Sequence, residues 1–127
     1  PFSELLSQLT LFFAVAIDPA TVERLGDNFG VQGFNGTGPF CWGNWTPRQE
    51  LNLTRHAAYR WGPEFYTNRG PAQVERVTWR VIPEAAARVA ALQSSQADIT
   101  QYIPSAFVEA LSRVPTVQRH AQPNYFW

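Results

Sequence analysis

The chain has 127 residues and no net formal charge, and 45% of its residues are hydrophobic while only 16% are charged. This balance excludes extensive disorder, which requires low hydrophobicity and high net charge. All ten basic residues are arginines, and ten acidic residues offset them, so no overall basic field exists to attract nucleic acid or an anionic membrane.

The first part of the chain predicts two helices and a loop. Apolar residues within positions 1–11 recur at the spacing of a helix. The signals at positions 18–26 are sharper, because Asp18 can cap a helix, Pro19 suits its first turn and Gly26 can close it in a left-handed conformation. Residues 26–38 then contain five glycines, which predicts a loop.

Two stretches further on predict β-structure. Residues 40–54 are aromatic and β-prone on both sides of a Thr-Pro-Arg turn signal at positions 46–48, which predicts a hairpin. Residues 74–82 alternate between a polar face and a more apolar face that includes Val77 and Trp79. This alternation predicts a half-buried strand, and Pro83 ends it.

The last third alternates predicted helices and strands. Residues 83–93 predict the clearest helix, because Pro83 and Glu84 suit its first turn and its alanines favour helix. A short strand at 97–102, a helix opened by residues 104–105 and a strand at 114–127 follow. This order implies crossovers and some parallel pairing. The predicted fold class is therefore α/β, with a mixed sheet, crossover helices and an antiparallel hairpin.

Motifs for catalysis, cofactors and metals are missing from the sequence. Gly36 and Gly38 lack the downstream residues of a phosphate loop, so we interpret them, with Pro39, as a tight structural turn that requires positive φ. Cys41 has no disulfide partner, and its aromatic neighbours suit a small buried hydrophobe. The only histidines, His56 and His120, form no ligand motif. We therefore predict no enzymatic activity, no metal and no cofactor.

Aromatic residues are frequent, and their role has two interpretations. Four tryptophans could form a stacking surface for bases or sugars, or they could pack the hairpin against the helices. We favour packing, because no basic stripe accompanies them. The four are Trp42, Trp45, Trp61 and Trp79.

Several segments together resemble bacterial extracellular solute-binding proteins of family 5, the dipeptide-, oligopeptide- and nickel-type binding components of ABC importers. The resemblance begins with Asn-Gly-Thr-Gly-Pro-Phe at 35–40 and Leu-Asn-Leu-Thr-Arg at 51–55. It continues with Tyr59 and the Trp-Gly pair at 61–62, and is strongest over 77–93, which an Ala-Asp-Ile segment follows. One departure is that the Asn-Pro turn usual in the family after the hairpin is replaced here.

The resemblance implies a type II periplasmic-binding-protein-like fold, of which residues 1–127 form a single partial domain from the middle of the first lobe. It implies capture of a peptide or similar small solute in a cleft between two lobes, and delivery to an ABC permease in the membrane. A periplasmic or extracellular location follows, without a nucleic-acid partner. We also expect self-association of the chain through open sheet edges.

Candidate ligand-binding residues follow from the expected sheet. Ligands of open α/β sheets lie beyond the carboxyl ends of strands. Gln101 and Tyr102 end the predicted strand 97–102, and Tyr125 and Trp127 lie in the last strand. Their side chains can bond to a solute or wall a cleft, or they can cap the end of the sheet. The family's best-known ligand anchors lie mostly in the second lobe and are not transferred to residues here.

Two other functions remain alternatives. The same module serves as the effector-binding domain of some transcriptional regulators, and an upstream winged-helix segment in the gene would favour that function. An RNA- or sugar-binding module on the aromatic hairpin is the other. Loss of such binding in Trp42→Ala or Trp45→Ala without unfolding would favour it, although the neutral charge argues against nucleic acid.

Overall fold

The computed structural model describes residues 3–10 and 15–120. The chain divides into two units, Pro1–Val81 and Ile82–Trp127, and each is described by itself. The first unit begins with a four-residue helix, α1, at Leu5–Gln8. Its leucines are exposed, and Leu6 is 78% accessible. A helix does form within the predicted 1–11 region, but its apolar side chains are not buried.

Helix α2 spans Pro19–Leu25, and its ends follow the sequence signals. The Asp18 carboxylate accepts hydrogen bonds from the backbone N–H groups of Ala20 and Thr21, both at 3.2 Å. Pro19 occupies the first turn, and Gly26 ends the helix with a φ of 51°. The predicted N-cap and the helix end at Gly26 are therefore confirmed, but the ψ of Gly26, −126°, differs from that of the predicted left-handed cap. A short 3-10 turn at Gly26–Asn28 follows.

The sheet of the first unit has three strands in sequence order: β1 at Phe40–Thr46, β2 at Glu50–Arg55 and β3 at Arg76–Arg80. Both neighbouring pairs are antiparallel. The predicted hairpin and the third strand are confirmed, but β3 is not half-buried, because only Val77 is partly buried and Trp79 is 56% exposed. The expected parallel pairing is wrong for the described residues, because the only strands there follow one another directly or through a long loop and pair antiparallel.

A β-bulge between Trp42 and Asn44 interrupts the register of β1 and β2. A Cβ atom on Gly43 would lie 2.7 Å from the backbone oxygen of Asn52, so only glycine fits there without a shift. Because of the extra residue, Trp42 and Trp45 lie on the same face of the sheet. On that face they pair with Leu53 and Leu51 of β2, respectively.

The two faces of the sheet differ in chemistry. On one face, Trp45, Leu51 and Trp79 lie side by side across the three strands. On the other, Asn52 donates to Glu50 at 2.9 Å and accepts from the Thr78 hydroxyl at 2.7 Å. The alternation predicted for residues 74–82 is thereby confirmed in β3.

The second unit contains two helices, α3 at Ala85–Gln93 and α4 at Ser105–Ser112. They pack together, and the buried apolar residues of the unit are Val89, Ala91 and Leu111. The predicted helix at 83–93 is confirmed, with Pro83 and Glu84 preceding its first turn.

The two strands predicted in the second unit are not observed. Residues 97–102 and 114–120 form loop and turn. A strand needs a hydrogen-bonding neighbour, and the described residues of this unit provide none. Tyr102 also adopts a φ of 55°, which is incompatible with an extended strand. The remainder of the predicted last strand, 121–127, lies outside the described residues.

Candidate functional site

The loop between α3 and α4 carries Gln101 and Tyr102, and both side chains line one hollow of about 970 Å³ in the second unit. The end of α3, the inner side of α4 and residues 116–120 complete its wall. Tyr102 is 78% exposed. The structure thus brings together two of the four predicted ligand-binding residues, although a loop carries them where a strand was expected. The other two, Tyr125 and Trp127, lie outside the described residues.

The lining of this hollow mixes apolar surface with opposite charges. Leu92, Ile99 and Leu111 contribute hydrocarbon surface, while Asp98 contributes a carboxylate and Arg119 a guanidinium. Binding pockets typically combine apolar walls with a few polar groups that orient the ligand. Such a hollow can accept an uncharged backbone or side chain and can also pair with groups of either sign.

Arg88 of α3 fixes the loop that bears Tyr102. Its Nη1 donates to the backbone oxygens of Ile82 at 2.9 Å and Pro83 at 2.6 Å, and its Nη2 donates to the oxygen of Tyr102 at 3.3 Å. Arg88 was not among the residues predicted from the sequence, and no ligand-binding role was predicted for Asp98 or Arg119. The position of Arg88 within the helix directly after Pro83 was the available signal.

The predicted turn that contains Gly36, Gly38 and Pro39, called the glycine turn below, lies in the first unit. Three separate segments donate hydrogen bonds to this part of the chain. Asp18 N–H donates to the Asn35 oxygen at 3.1 Å, His56 N–H to the Pro39 oxygen at 2.9 Å, and the Trp61 indole N–H to the Thr37 oxygen at 2.7 Å. These bonds support the interpretation of this segment as a structural turn.

The positive φ predicted for the glycines of this turn is wrong. Positions 37–39 form a bend, but neither Gly36 nor Gly38 adopts a positive φ. Instead, a Cβ atom on Gly36 would lie 2.9 Å from the Phe34 ring, while one on Gly38 would meet nothing within 4 Å. Glycine is therefore favoured at position 36 because the Phe34 ring lies too close for a Cβ atom, and not because of the backbone conformation.

A smaller hollow of about 270 Å³ adjoins this turn and is lined by Arg24, Cys41 and His56, among others. Cys41 is exposed, so its assignment as a buried hydrophobe is wrong. Its side chain follows the strand alternation onto the face opposite Trp42. At the edge of this hollow, hydrogen bonds from the Thr21 hydroxyl and then the Asn35 amide hold the pKa of Asp18 below its ordinary value of 3.8.

The tryptophans divide between packing and exposure. Trp42 meets Phe34 edge-on at 5.8 Å between ring centroids, and Trp61 lies 4.9 Å from Tyr59 and 5.5 Å from His56. Trp42 is partly buried, whereas Trp61 is 53% exposed. The favoured packing of the hairpin against the helices is wrong for the described residues, because no strand there lies against a helix. Trp45 and Trp79 are 39% and 56% exposed on the open face of the sheet.

Neither metal clusters nor membrane-spanning helices occur in residues 3–10 and 15–120. No three His, Cys, Asp or Glu side chains of these ranges come close enough to hold an ion. The helices in the same ranges are too short or too polar to cross a bilayer.

Known proteins with similar sequences include glutathione-binding proteins from two bacteria. The glutathione-binding protein GsiB of Escherichia coli K12 is 27% identical over 124 residues, which cover 98% of this chain and 23% of that protein. GsiB of Shigella flexneri is 26% identical over the same length. The chain therefore spans about a quarter of the length of these relatives.

Solved structures share the fold. The periplasmic binding protein DppA of Helicobacter pylori, in complex with the peptide STSA, matches with a TM-score of 0.74 and 24% identity over 91% of this chain and 22% of its own. MoaA of A. tumefaciens R10, in complex with mannopinic acid, matches with a TM-score of 0.73 and 24% identity over 89% of this chain and 22% of its own. The chain, a small α/β piece with a three-stranded antiparallel sheet, thus matches part of the type II periplasmic-binding-protein fold.

The family model for the middle region of bacterial extracellular solute-binding proteins, family 5, matches residues 1–127. Its members are binding proteins and not enzymes, and they act in the periplasm or outside the cell. This chain belongs to family 5 of the bacterial extracellular solute-binding proteins.

Proposed function

We propose that this chain is part of the substrate-binding component of an ABC importer that captures peptides or similar small solutes. The hollow beside the α3–α4 loop contributes one wall of the binding cleft, and a second lobe contributes the other. Closure of two lobes over a ligand by hinge motion is a general mode of binding.

The observation that carries this proposal is the mixed lining of the hollow. A peptide carries an ammonium group, a carboxylate, backbone amides and varied side chains. Asp98 and Arg119 offer the two complementary charges, and Gln101 offers both a donor and an acceptor for an amide. The apolar surface of Ile99 and Leu111 accommodates side chains without selecting one sequence.

The relatives support the same class of solute. The Helicobacter pylori structure contains the peptide STSA, and a dipeptide-binding protein from Pseudoalteromonas sp. SM9913, at 18% identity and a TM-score of 0.67, contains Met-Leu. The A. tumefaciens structure contains mannopinic acid. Because the ligands bound in these three structures differ, we propose similar small solutes as well as peptides.

A periplasmic or extracellular location and docking on a membrane permease complete the proposal. The match to the middle region of the family supports our assignment of residues 1–127 to one lobe, as a single partial domain. The solute-loaded, closed protein would present the surface that the permease recognises.

Calorimetric titration of a di- to pentapeptide pool into the gene product that carries these 127 residues tests the proposal. We expect Asp98→Asn and Gln101→Ala to weaken binding by about tenfold each, which corresponds to roughly 1.4 kcal/mol. Gln93→Ala is the matched control, because Gln93 is exposed at the end of α3 and does not line the hollow. Unchanged affinity in both Asp98→Asn and Gln101→Ala would contradict the proposed wall.

A second measurement uses the 127-residue chain alone. One wall supplies about half of the buried ligand surface, so we expect no peptide binding tighter than about 10 μM. A one-to-one signal below that value from a monomeric chain would mean that these residues hold a complete site.

A further inference from the structure

Tyr102 holds a backbone conformation that is unfavourable for its residue type. Its φ of 55° lies in the left-handed region, where bulky residues other than glycine are rare. Left-handed backbone is unfavourable for L-residues, because Cβ approaches the following carbonyl oxygen too closely. Such a conformation persists only where the surroundings impose it. Tyr102 also lines the hollow, so its conformation decides where its side chain stands.

The contacts around Tyr102 identify Arg88 as a group that imposes the left-handed conformation on the Tyr102 backbone. The Arg88 guanidinium is held from two sides, because Nη1 donates to both the Ile82 and Pro83 oxygens. Its second nitrogen, Nη2, is thereby directed to the Tyr102 oxygen. The planar fork of arginine is pre-organised for such multiple bonds, and a lysine ammonium is not.

We propose that Arg88 is a positioning residue for the binding cleft: it holds the Tyr102 backbone in the left-handed conformation and so presents Gln101 and Tyr102 to the solute. The role in binding rests on the proposed function, whereas the action on the Tyr102 backbone does not. Helix α3 supplies a rigid base, since Val89, directly after Arg88, is 5% exposed.

Nuclear magnetic resonance of the 127-residue chain tests the proposal without any solute. A positive φ brings the amide hydrogen close to the α-hydrogen of the same residue and gives a strong intraresidue NOE. We expect Arg88→Gln to abolish the strong NOE at Tyr102, and the order parameters of residues 98–103 to fall from about 0.85 to below about 0.6. Arg113→Gln is the control, because exposed Arg113 pairs only with Glu109 on α4.

Two further variants separate positioning from a general effect on folding. Arg88→Lys keeps the charge but has a single nitrogen, so we expect a folded unit with a weakened NOE at Tyr102. Tyr102→Asn provides the rescue, because asparagine tolerates the left-handed region. In the Arg88→Gln/Tyr102→Asn double variant, we expect the strong NOE at position 102 to return.

The outcomes are decisive in each case. An unchanged NOE in Arg88→Gln or Arg88→Lys overturns the proposal, and so does a double variant that is not rescued. If the NOE results are as expected but the gene product binds no peptide, the proposed function fails while the action of Arg88 on Tyr102 stands.

Discussion

The two units of the chain obtain their order in different ways. In the first unit, no residue of β1, β2 or β3 is buried, and a ladder of backbone bonds with a fixed register defines the sheet. In the second unit, two short helices meet through the buried side chains Val89, Ala91 and Leu111. The comparison shows that a ladder can specify a register with little burial, whereas a helix pair depends on a few apolar contacts.

The largest expected effect is in the helix pair. Leu111 is 5% exposed, so Leu111→Ala removes a buried side chain, and we expect a loss of about 2–5 kcal/mol in the unfolding free energy of this unit. Urea denaturation followed by helical circular dichroism measures the loss. Ile99→Ala is the control, since Ile99 is 82% exposed. Equal midpoints for the two variants would show that the helix pair does not depend on this contact.

The sheet should be most sensitive at its bulge. Gly43→Ala places a Cβ atom 2.7 Å from the Asn52 backbone oxygen, and we expect a cost of about 1–3 kcal/mol. Tryptophan fluorescence during denaturation measures the effect. Gly38→Ala should be neutral, because a Cβ atom there meets nothing within 4 Å. If Gly43→Ala is as stable as Gly38→Ala, the bulge does not constrain the register.

A smaller effect is expected where a side chain holds the glycine turn. Trp61→Phe removes the hydrogen bond to the Thr37 oxygen, and we expect a loss of about 0.5–1.5 kcal/mol. Exchange of the backbone amides of residues 35–40 should rise with it. The same substitution at Trp45, whose ring lies on the open sheet face, is the control. A larger rise in Trp45→Phe would show that the indole bond does not hold the turn.

The smallest effect concerns Asp18 and depends on pH. Because hydrogen bonds lower the pKa of this carboxyl, its contribution is present above its ordinary pKa and is lost as the pH falls through the folded-state value. We expect Asp18→Ala to unfold slightly more easily at pH 7 and no differently at about pH 2. Asp27→Ala, in the next turn, serves as control. A difference that persists in acid would assign the effect to something other than the carboxylate.

Features defined by neighbouring residues were predictable from the sequence. The caps of α2 depend on Asp18, Pro19 and Gly26, which are close in sequence. The hairpin follows from a turn signal between two β-prone stretches, and the helix near residues 85–93 follows from its alanines. In each case the interactions that decide the structure lie within a few residues of one another.

Features that depend on distant partners were not predictable. The segment 97–102 has the composition of a strand, but no strand among the described residues of its unit pairs with it. The left-handed Tyr102 has no signal in its own sequence, because a residue fourteen positions earlier, Arg88, bonds to it. Gln101 and Tyr102 line one hollow, and their role in ligand binding stays a prediction, while the backbone geometry that presents them was not foreseen.

The bulge at Gly43 predicts where strand β1 tolerates the deletion of a single residue. Removing one residue from a regular strand turns every side chain beyond it to the opposite face. Deleting Gly43 instead leaves Trp42 and Trp45 two positions apart, and so on the same face as before. Within β1, deletion of Gly43 or of Asn44 thus preserves the assignment of both tryptophans to one face, and homologous strands one residue shorter should lack a residue at this point.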